Sequence, residues 1–329
     1  LATLKDIAKS AGVSICTVSR YINKKITIRK ETAERIDQAI EKLQYIPNSA
    51  AKTLKTNSSK NVAILIPTLN NLLFAENSEA MERIFSENGY SVFLYSFGND
   101  IGKEQSIIPR LVENRVAGVV FNTLPSNYEN LGHLHMLERN GIPFVFLNRM
   151  FSPIPIPSVY ANYQKGASMA VDHFTRIGKK KPAIMLGRER QPQSHANLIG
   201  FKGGVREQSI PFSSSMVLEC DYRHEDIEAL VRRALSDGHD SFYCITDLMA
   251  IHVINSLKRN GRSVPDDVAV IGAGNSAFST IVEPQLSSLD LQNSHSGEIT
   301  AGLLLDIMHK RPFKHTTVLE TSLIVRDSA

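Results

Sequence analysis

The chain has 329 residues, 42% hydrophobic and 21% charged, an ordinary globular balance with enough length for two or three domains. No apolar run approaches the ~18–20 residues of a membrane span, and the opening "LATLKDIAKS" lacks the apolar stretch of a secretory signal. Three widely spaced cysteines (Cys16, Cys220, Cys244) suggest no disulfide framework, so a reducing cytoplasm is the expected setting.

The net charge of +4 is unevenly spread: residues 1–60 hold 12 Lys+Arg against 5 Asp+Glu, the rest 25 against 28. A basic end on a slightly acidic body suggests a polyanion-binding module attached to something else. Within it, "TLKDIAKSAG" carries a helix start, with Thr3 and Asp6 at capping-box spacing, and Gly12 suits the helix end. Ser14 then caps a second short helix ending near Asn23. Ala8, Gly12 and Val18 have the spacing of two helices crossing over a tight turn, which is helix-turn-helix geometry. Ala33, Ile36, Ala39, Ile40 and Leu43 line one face of a third helix.

This arrangement leaves Ile15, Cys16, Thr17, Ser19 and Arg20 exposed on the second helix. Hydroxyls suit phosphates, and an arginine fork suits the O6 and N7 of guanine in a major groove. After Pro47 a short helix over about 48–55 is expected, too short to stand alone in water and carrying Leu54 outward. An exposed leucine there makes sense as a wedge into a minor-groove base step.

Residues 3–60 resemble the headpiece and hinge of the lactose-repressor (LacI/GalR) family, through "TLKDIAKSAGVS", "TVSRYIN", "ETAERIDQAIEKLQYIPN" and "AAKTLKT". The resemblance continues through "IPTLNNLLFAE", "VAGVVF", "ITDLMA", "SVPDDVAVIG" and "LIVRDSA", so it covers essentially the whole chain. It implies base reading by Ile15, Cys16 and Arg20, phosphate contacts by Thr3, Ser14, Thr17, Ser19, Asn23 and Tyr45, and intercalation by Leu54. Arg29 stands where the family usually has a serine cap for the third helix, which weakens that helix start.

From residue 61 apolar stretches alternate with helical ones: "VAILIP", "YSVFLYSF", "VAGVVFN" and "PFVFLN", then "PAIMLG", "SMVLEC", "FYCIT" and "DVAVIG". Such alternation implies an α/β body with doubly wound parallel sheets, and the proline-rich "FSPIPIPS" divides it into two lobes. The resemblance implies a periplasmic-binding-protein-like body behind an all-α headpiece. The expected divisions are a helix-turn-helix domain at 1–47, a hinge and linker at 48–60, and an effector-binding and dimerisation body at 61–329. One lobe takes about 61–160 plus 291–318, the other about 161–290 plus 319–329, with crossings near 160, 290 and 319.

Ligands of open parallel sheets lie beyond the carboxyl ends of the strands. The candidates there are Leu73, Phe74, Asn148, Arg149, Asn162, Arg188, Arg190, Asn197, Tyr222, Thr246, Asp247, Gly274 and Asn275, Asp247 doubling as a helix cap. "DVAVIGAGNSA" also matches a dinucleotide-binding turn, Gly272, Gly274 and Ala277 standing in G-x-G-x-x-A spacing with Asp290 18 residues on. Pro284 and the strand-like "LSSLDL" follow too closely for a crossover helix, so no nucleotide cofactor is expected. His133 and His135, two apart, do not face each other on a helix, and no metal site or catalytic set stands out.

The expected protein is a cytoplasmic, homodimeric transcription regulator, a repressor and not an enzyme, binding a palindromic operator in double-stranded DNA. The chain shows no heptad-patterned tail beyond "VRDSA", so a dimer and not a tetramer is expected. The alternative is a solute-binding transport protein built on the same body. Sugar-binding family members commonly carry Asp, Asp, Arg and Asp where this chain has Asn148, Ala161, Asn197 and Gly274. The loss of carboxylates beside Arg188 and Arg190 points to an anionic effector, a sugar phosphate or sugar acid.

Overall fold

The computed structural model describes residues 2–23, 26–45, 59–69, 71–98, 100–122, 132–148, 156–187, 192–220 and 224–329. Two compact units divide the chain, Leu1–Ser59 and Lys60–Ala329.

The first unit holds α1 (Leu4–Ala11), α2 (Ile15–Ile22) and α3 (Lys30–Lys42). At the start of α1 the Asp6 amide donates to Thr3 Oγ1 at 3.4 Å, and the Thr3 amide donates to Asp6 Oδ2 at 2.9 Å. That reciprocal pair satisfies amides a helix start otherwise leaves open. Gly12 ends α1 at φ +66°, a left-handed turn where a side chain costs energy. The Thr17 amide donates to Ser14 Oγ at 3.0 Å and opens α2. Arg29 precedes α3 without any side-chain cap, and Glu31 in the first turn complements the helix dipole instead. Ile7, Ala8, Ala11, Val18, Ile36 and Ala39 form the buried core, and the Tyr21 hydroxyl ties α2 to α3 through Asp37 at 2.8 Å. The hinge helix expected over 48–55, with Leu54, lies outside the described residues.

The second unit contains two six-stranded sheets. The first sheet is built from β1 (Asn61–Ile66), β2 (Ser91–Ser96), β3 (Gly118–Asn122), β4 (Phe144–Leu147), β5 (Ser158–Ala161) and β11 (Thr316–Leu319), in the order β11-β5-β4-β3-β1-β2. All its pairings are parallel. The second sheet comprises β6 (Pro182–Leu186), β7 (Val217–Glu219), β8 (Ser241–Cys244), β9 (Ala269–Ala273), β10 (Ser287–Asp290) and β12 (Ser322–Ile324), ordered β12-β10-β9-β8-β6-β7. β12 runs antiparallel to β10; at three residues it is too short to show a periodicity in the sequence.

Helices cover both faces, which is why inner strands read as unbroken apolar runs. α4 (Leu72–Glu87) and α11 (Asn293–Met308) pack Phe74, Met81, Phe85, Ala301 and Leu304 on one face of the first sheet. α5 (Ile101–Glu113) and α6 (Leu134–Arg139) pack Ile107, Ile108, Leu111, Leu134 and Leu137 on the other. α7 (Tyr163–Arg176), α8 (Pro192–Glu207), α9 (His224–Ser236) and α10 (Asp247–Arg259) enclose the second sheet in a core of their own. α7 and α8 approach so closely that a Cβ on Gly200 would stand 2.1 Å from the Gln164 carbonyl oxygen.

The chain passes between lobes after Ala161, after Asp290 and after Leu319, whose strand still belongs to the first sheet. Leu73 packs against the cores of both lobes. The carboxyl ends of the strands and the first turns of α4, α7, α10 and α11 therefore meet at one boundary.

Candidate functional site

The headpiece presents α2. Ile15 is 47% exposed, Cys16 and Arg20 are exposed, Thr17 and Ser19 are half-buried, and Val18 points into the core at 0%. Several of the expected phosphate-contacting groups also serve caps. Thr3 Oγ1 donates to Asp6 Oδ2 at 2.7 Å, the Ser14 and Thr17 hydroxyls pair at 2.8 Å, and Asn23 Nδ2 donates to the Ser19 carbonyl at 2.7 Å. Tyr45 is half-buried against the headpiece core.

In the body the candidates fall into three groups. Arg149, Arg188, Arg190 and Tyr222 lie outside the described residues. Leu73, Asn148, Asn162, Thr246, Asp247, Gly274 and Asn275 stand at the lobe boundary, and Phe74 there is 6% exposed and part of the first lobe's core. Asn197 needs correction: it is no loop residue but lies inside α8, 1% exposed, because that helix starts only six residues after β6 ends. Its Oδ1 accepts from the Tyr243 hydroxyl at 2.6 Å, and its Nδ2 donates to the Gln193 carbonyl at 2.9 Å. Asp247 is not the cap of α10. Thr246 is, its Oγ1 accepting from the Met249 amide at 3.2 Å.

Asp247 has a different place. Its Oδ2 accepts from the Ser276 amide and hydroxyl, each at 2.7 Å, and its Oδ1 from the Ser288 hydroxyl at 2.5 Å. Burial pushes its carboxyl pKa up, and these hydrogen bonds oppose that shift. Asn275 Oδ1 accepts from Arg326 at 2.6 Å, which holds the neighbouring loop. Asn148, Asn275 and Gln292 all adopt left-handed backbone, at φ +64°, +45° and +53°, and each follows directly or closely on a strand end at the boundary. Asparagine tolerates this region better than most residues, so part of the reason for Asn148 and Asn275 is conformational.

The boundary is closed by hydrogen bonds between lobes. Tyr163, first residue of α7, donates its hydroxyl to Asn148 Oδ1 at 3.0 Å, and Asn148 Nδ2 donates to Asn122 Oδ1 at 3.3 Å. Burial holds the Tyr163 phenol protonated, far above the usual tyrosine range. Asn293 Nδ2 reaches both Glu76 Oε2 and the Gly274 carbonyl at 2.8 Å. Asn71, Leu73, Thr246, Gly274, Phe278 and Asn293 border a space of about 20 Å³, room for roughly one water. None of Asn122, Tyr163, Glu76 or Asn293 is among the candidates named from the sequence. Asn122 has a signal, a polar residue closing the apolar run "VAGVVFN", but Tyr163, Glu76 and Asn293 sit in helices whose faces only packing defines.

The G-x-G turn has a structural explanation. Among the described residues, a short 3-10 helix, Ala277–Thr280, is the only helix between β9 and the parallel β10. No α-helix starts there to receive a pyrophosphate. A Cβ on Gly272 would fall 2.5 Å from Asp247 Oδ1, so that glycine makes room for the buried carboxylate.

Known proteins share both parts of this arrangement. "Bacterial regulatory proteins, lacI family" matches residues 3–48, and "Periplasmic binding protein-like domain" matches residues 171–329. The chain is 30% identical to the ribose operon repressor of Halalkalibacterium halodurans, over 100% of this chain and 97% of that one. The chain belongs to the lacI family of bacterial regulatory proteins. As a member it is a DNA-binding transcriptional regulator governed by a small-molecule effector. It is also 29% identical to the transcriptional repressor PurR of Mannheimia succiniciproducens, over 100% of this chain and 98% of the relative. The lac repressor dimer bound to operator and the anti-inducer ONPF shares the fold, with a TM-score of 0.88 and 22% identity over 99% and 98% of the two chains. The headpiece match sets aside the transport reading of the body. Among the described residues no helix is long and apolar enough to cross a membrane.

Proposed function

We propose that the protein acts in the cytoplasm as a homodimeric repressor, without a catalytic step, and that a polar metabolite enters the boundary between its lobes. The reading is carried by one observation: Asn148 and Tyr163, on opposite lobes, share a buried hydrogen bond at the carboxyl ends of the strands. A ligand that competes for Asn148 changes the relative free energy of the lobe arrangements, and the headpieces sense that shift. Ile15, Cys16 and Arg20 read bases, while Thr3, Ser14, Thr17, Ser19, Asn23 and Tyr45 place the headpiece on phosphates and Leu54 wedges a base step.

Exposed apolar side chains support the dimer: Leu248 on α10, Phe278 in the short 3-10 helix after β9 with Ile281 just past it, and Phe93 and Leu94 on the edge strand β2. Two-fold symmetry then implies a palindromic site. The effector is read as anionic because Asn148, Ala161 and Gly274 bring no carboxylate to the boundary, and Asp247 has both oxygens engaged by Ser276 and Ser288. Arg188 and Arg190 are its proposed captors. The test is selection of bound duplexes from a random library, followed by light scattering of the complex and titration with sugars and their phosphates and acids. A non-palindromic site, a monomeric complex, or a response to neutral sugars alone each removes the corresponding part.

A further inference from the structure

Asn122 ends β3 with its side chain 0% exposed, and among the described residues its Nδ2 has no hydrogen-bond partner. Val119 and Phe121 point into the core beneath α5 and α6, so strand alternation turns Asn122 to the α4 and α11 side, beside Leu147 on β4. That places the amide at the strand ends, under Asn148.

The orientation of the chain of groups follows from its far end. A buried phenol needs an acceptor for its proton, and Tyr163 donates to Asn148 Oδ1 at 3.0 Å. Asn148 must then turn its nitrogen to Asn122 Oδ1, which leaves Asn122 with only N–H groups to offer. Reversing both amides would leave the buried Tyr163 proton without its acceptor. An unpaired buried donor is costly, and each one calls for an explanation, of which a ligand that completes it is one.

We propose that Tyr163, Asn148 and Asn122 form a relay that makes the inner end of the effector site a hydrogen-bond donor, selecting an effector whose inward end is a carbonyl, carboxylate or phosphate oxygen. The proposal rests on the reading of the lobe boundary as the effector site. Asn122 is the contacting residue, and Tyr163 is a positioning residue that fixes which end of each amide faces the ligand.

One measurement on the full-length protein tests it: the operator complex is followed by fluorescence anisotropy during titration with D-glucose and D-gluconate, and with D-ribose and ribose 5-phosphate. At least one oxyanion is expected to shift operator affinity at lower concentration than its neutral partner. That preference should fall ~10-fold, the scale of one hydrogen bond, in Asn122→Leu. Tyr163→Phe frees Asn148 to turn over and should move the preference toward the neutral sugar, each response being measured relative to the variant's own ligand-free operator affinity. Equal response to both members of each pair, no response to either oxyanion, or a preference untouched by Tyr163→Phe overturns the relay. Failure of the regulator reading itself would show differently, as no operator complex before any ligand is added.

Discussion

Asn293 and Gly274 meet across the lobe boundary, the Asn293 amide nitrogen donating to the Gly274 carbonyl at 2.8 Å. The same nitrogen donates to Glu76 at 2.8 Å, so one side chain ties α4 and α11 of the first lobe to the loop after β9 in the second. Asn293→Ala removes both bonds and leaves a buried carbonyl without this donor. Urea unfolding should show a loss of about 1–3 kcal/mol. An unchanged midpoint and slope would show that the tie contributes nothing.

Glu76 is half-buried, and burial raises its carboxyl pKa, with the charges of Asp247, Asp290 and Glu79 adding to the rise and Asn293 opposing it. A raised folded-state pKa means that protonation favours the fold. The stabilising contribution is complete below the ordinary glutamate value and is lost as pH rises through the raised one. Melting temperature followed from about pH 4 to 7 should therefore fall less for Glu76→Gln than for the wild type. Parallel curves would count against the shift. Asp247, also raised, repels Glu76, so Glu76→Gln relieves part of that repulsion and changes the comparison in the same direction.

Arg20 stands exposed in the last turn of α2. Arg20→Ala should cost ~1–3 kcal/mol of operator binding through a lost guanine contact, and much less on random DNA. Equal losses on both duplexes would make Arg20 a phosphate contact and not a reader.

Gly200 has no room for a side chain, since a Cβ there meets the Gln164 backbone oxygen at 2.1 Å and its Cα at 2.6 Å. The obstacle is backbone and cannot rotate away. Gly200→Ala should push α7 from α8 and cost at least the ~1–3 kcal/mol of an overpacked core. Calorimetry on the purified variant checks this, and a melting temperature equal to that of the wild type would refute the close approach.

Local chemistry makes much of this protein legible in its sequence. Thr3, Asp6, Gly12 and Ser14 act on neighbours within a few residues, so the helix starts and the turn of the headpiece follow from sequence spacing alone. The alternation of apolar runs with helical stretches likewise determined two doubly wound lobes, because parallel strands need covered faces and long crossovers. What the tertiary structure decided is who meets whom at the boundary. Asn148 and Tyr163 lie on different lobes, Asp247 and Ser288 are 41 residues apart, and Glu76 and Asn293 are 217 apart. No periodicity encodes those separations; they follow from the chain crossing between the lobes three times and from the packing of α4, α7, α10 and α11 at one junction. The same holds for Gly272, whose spacing imitates a nucleotide turn and whose reason is the carboxylate of Asp247 folded against it.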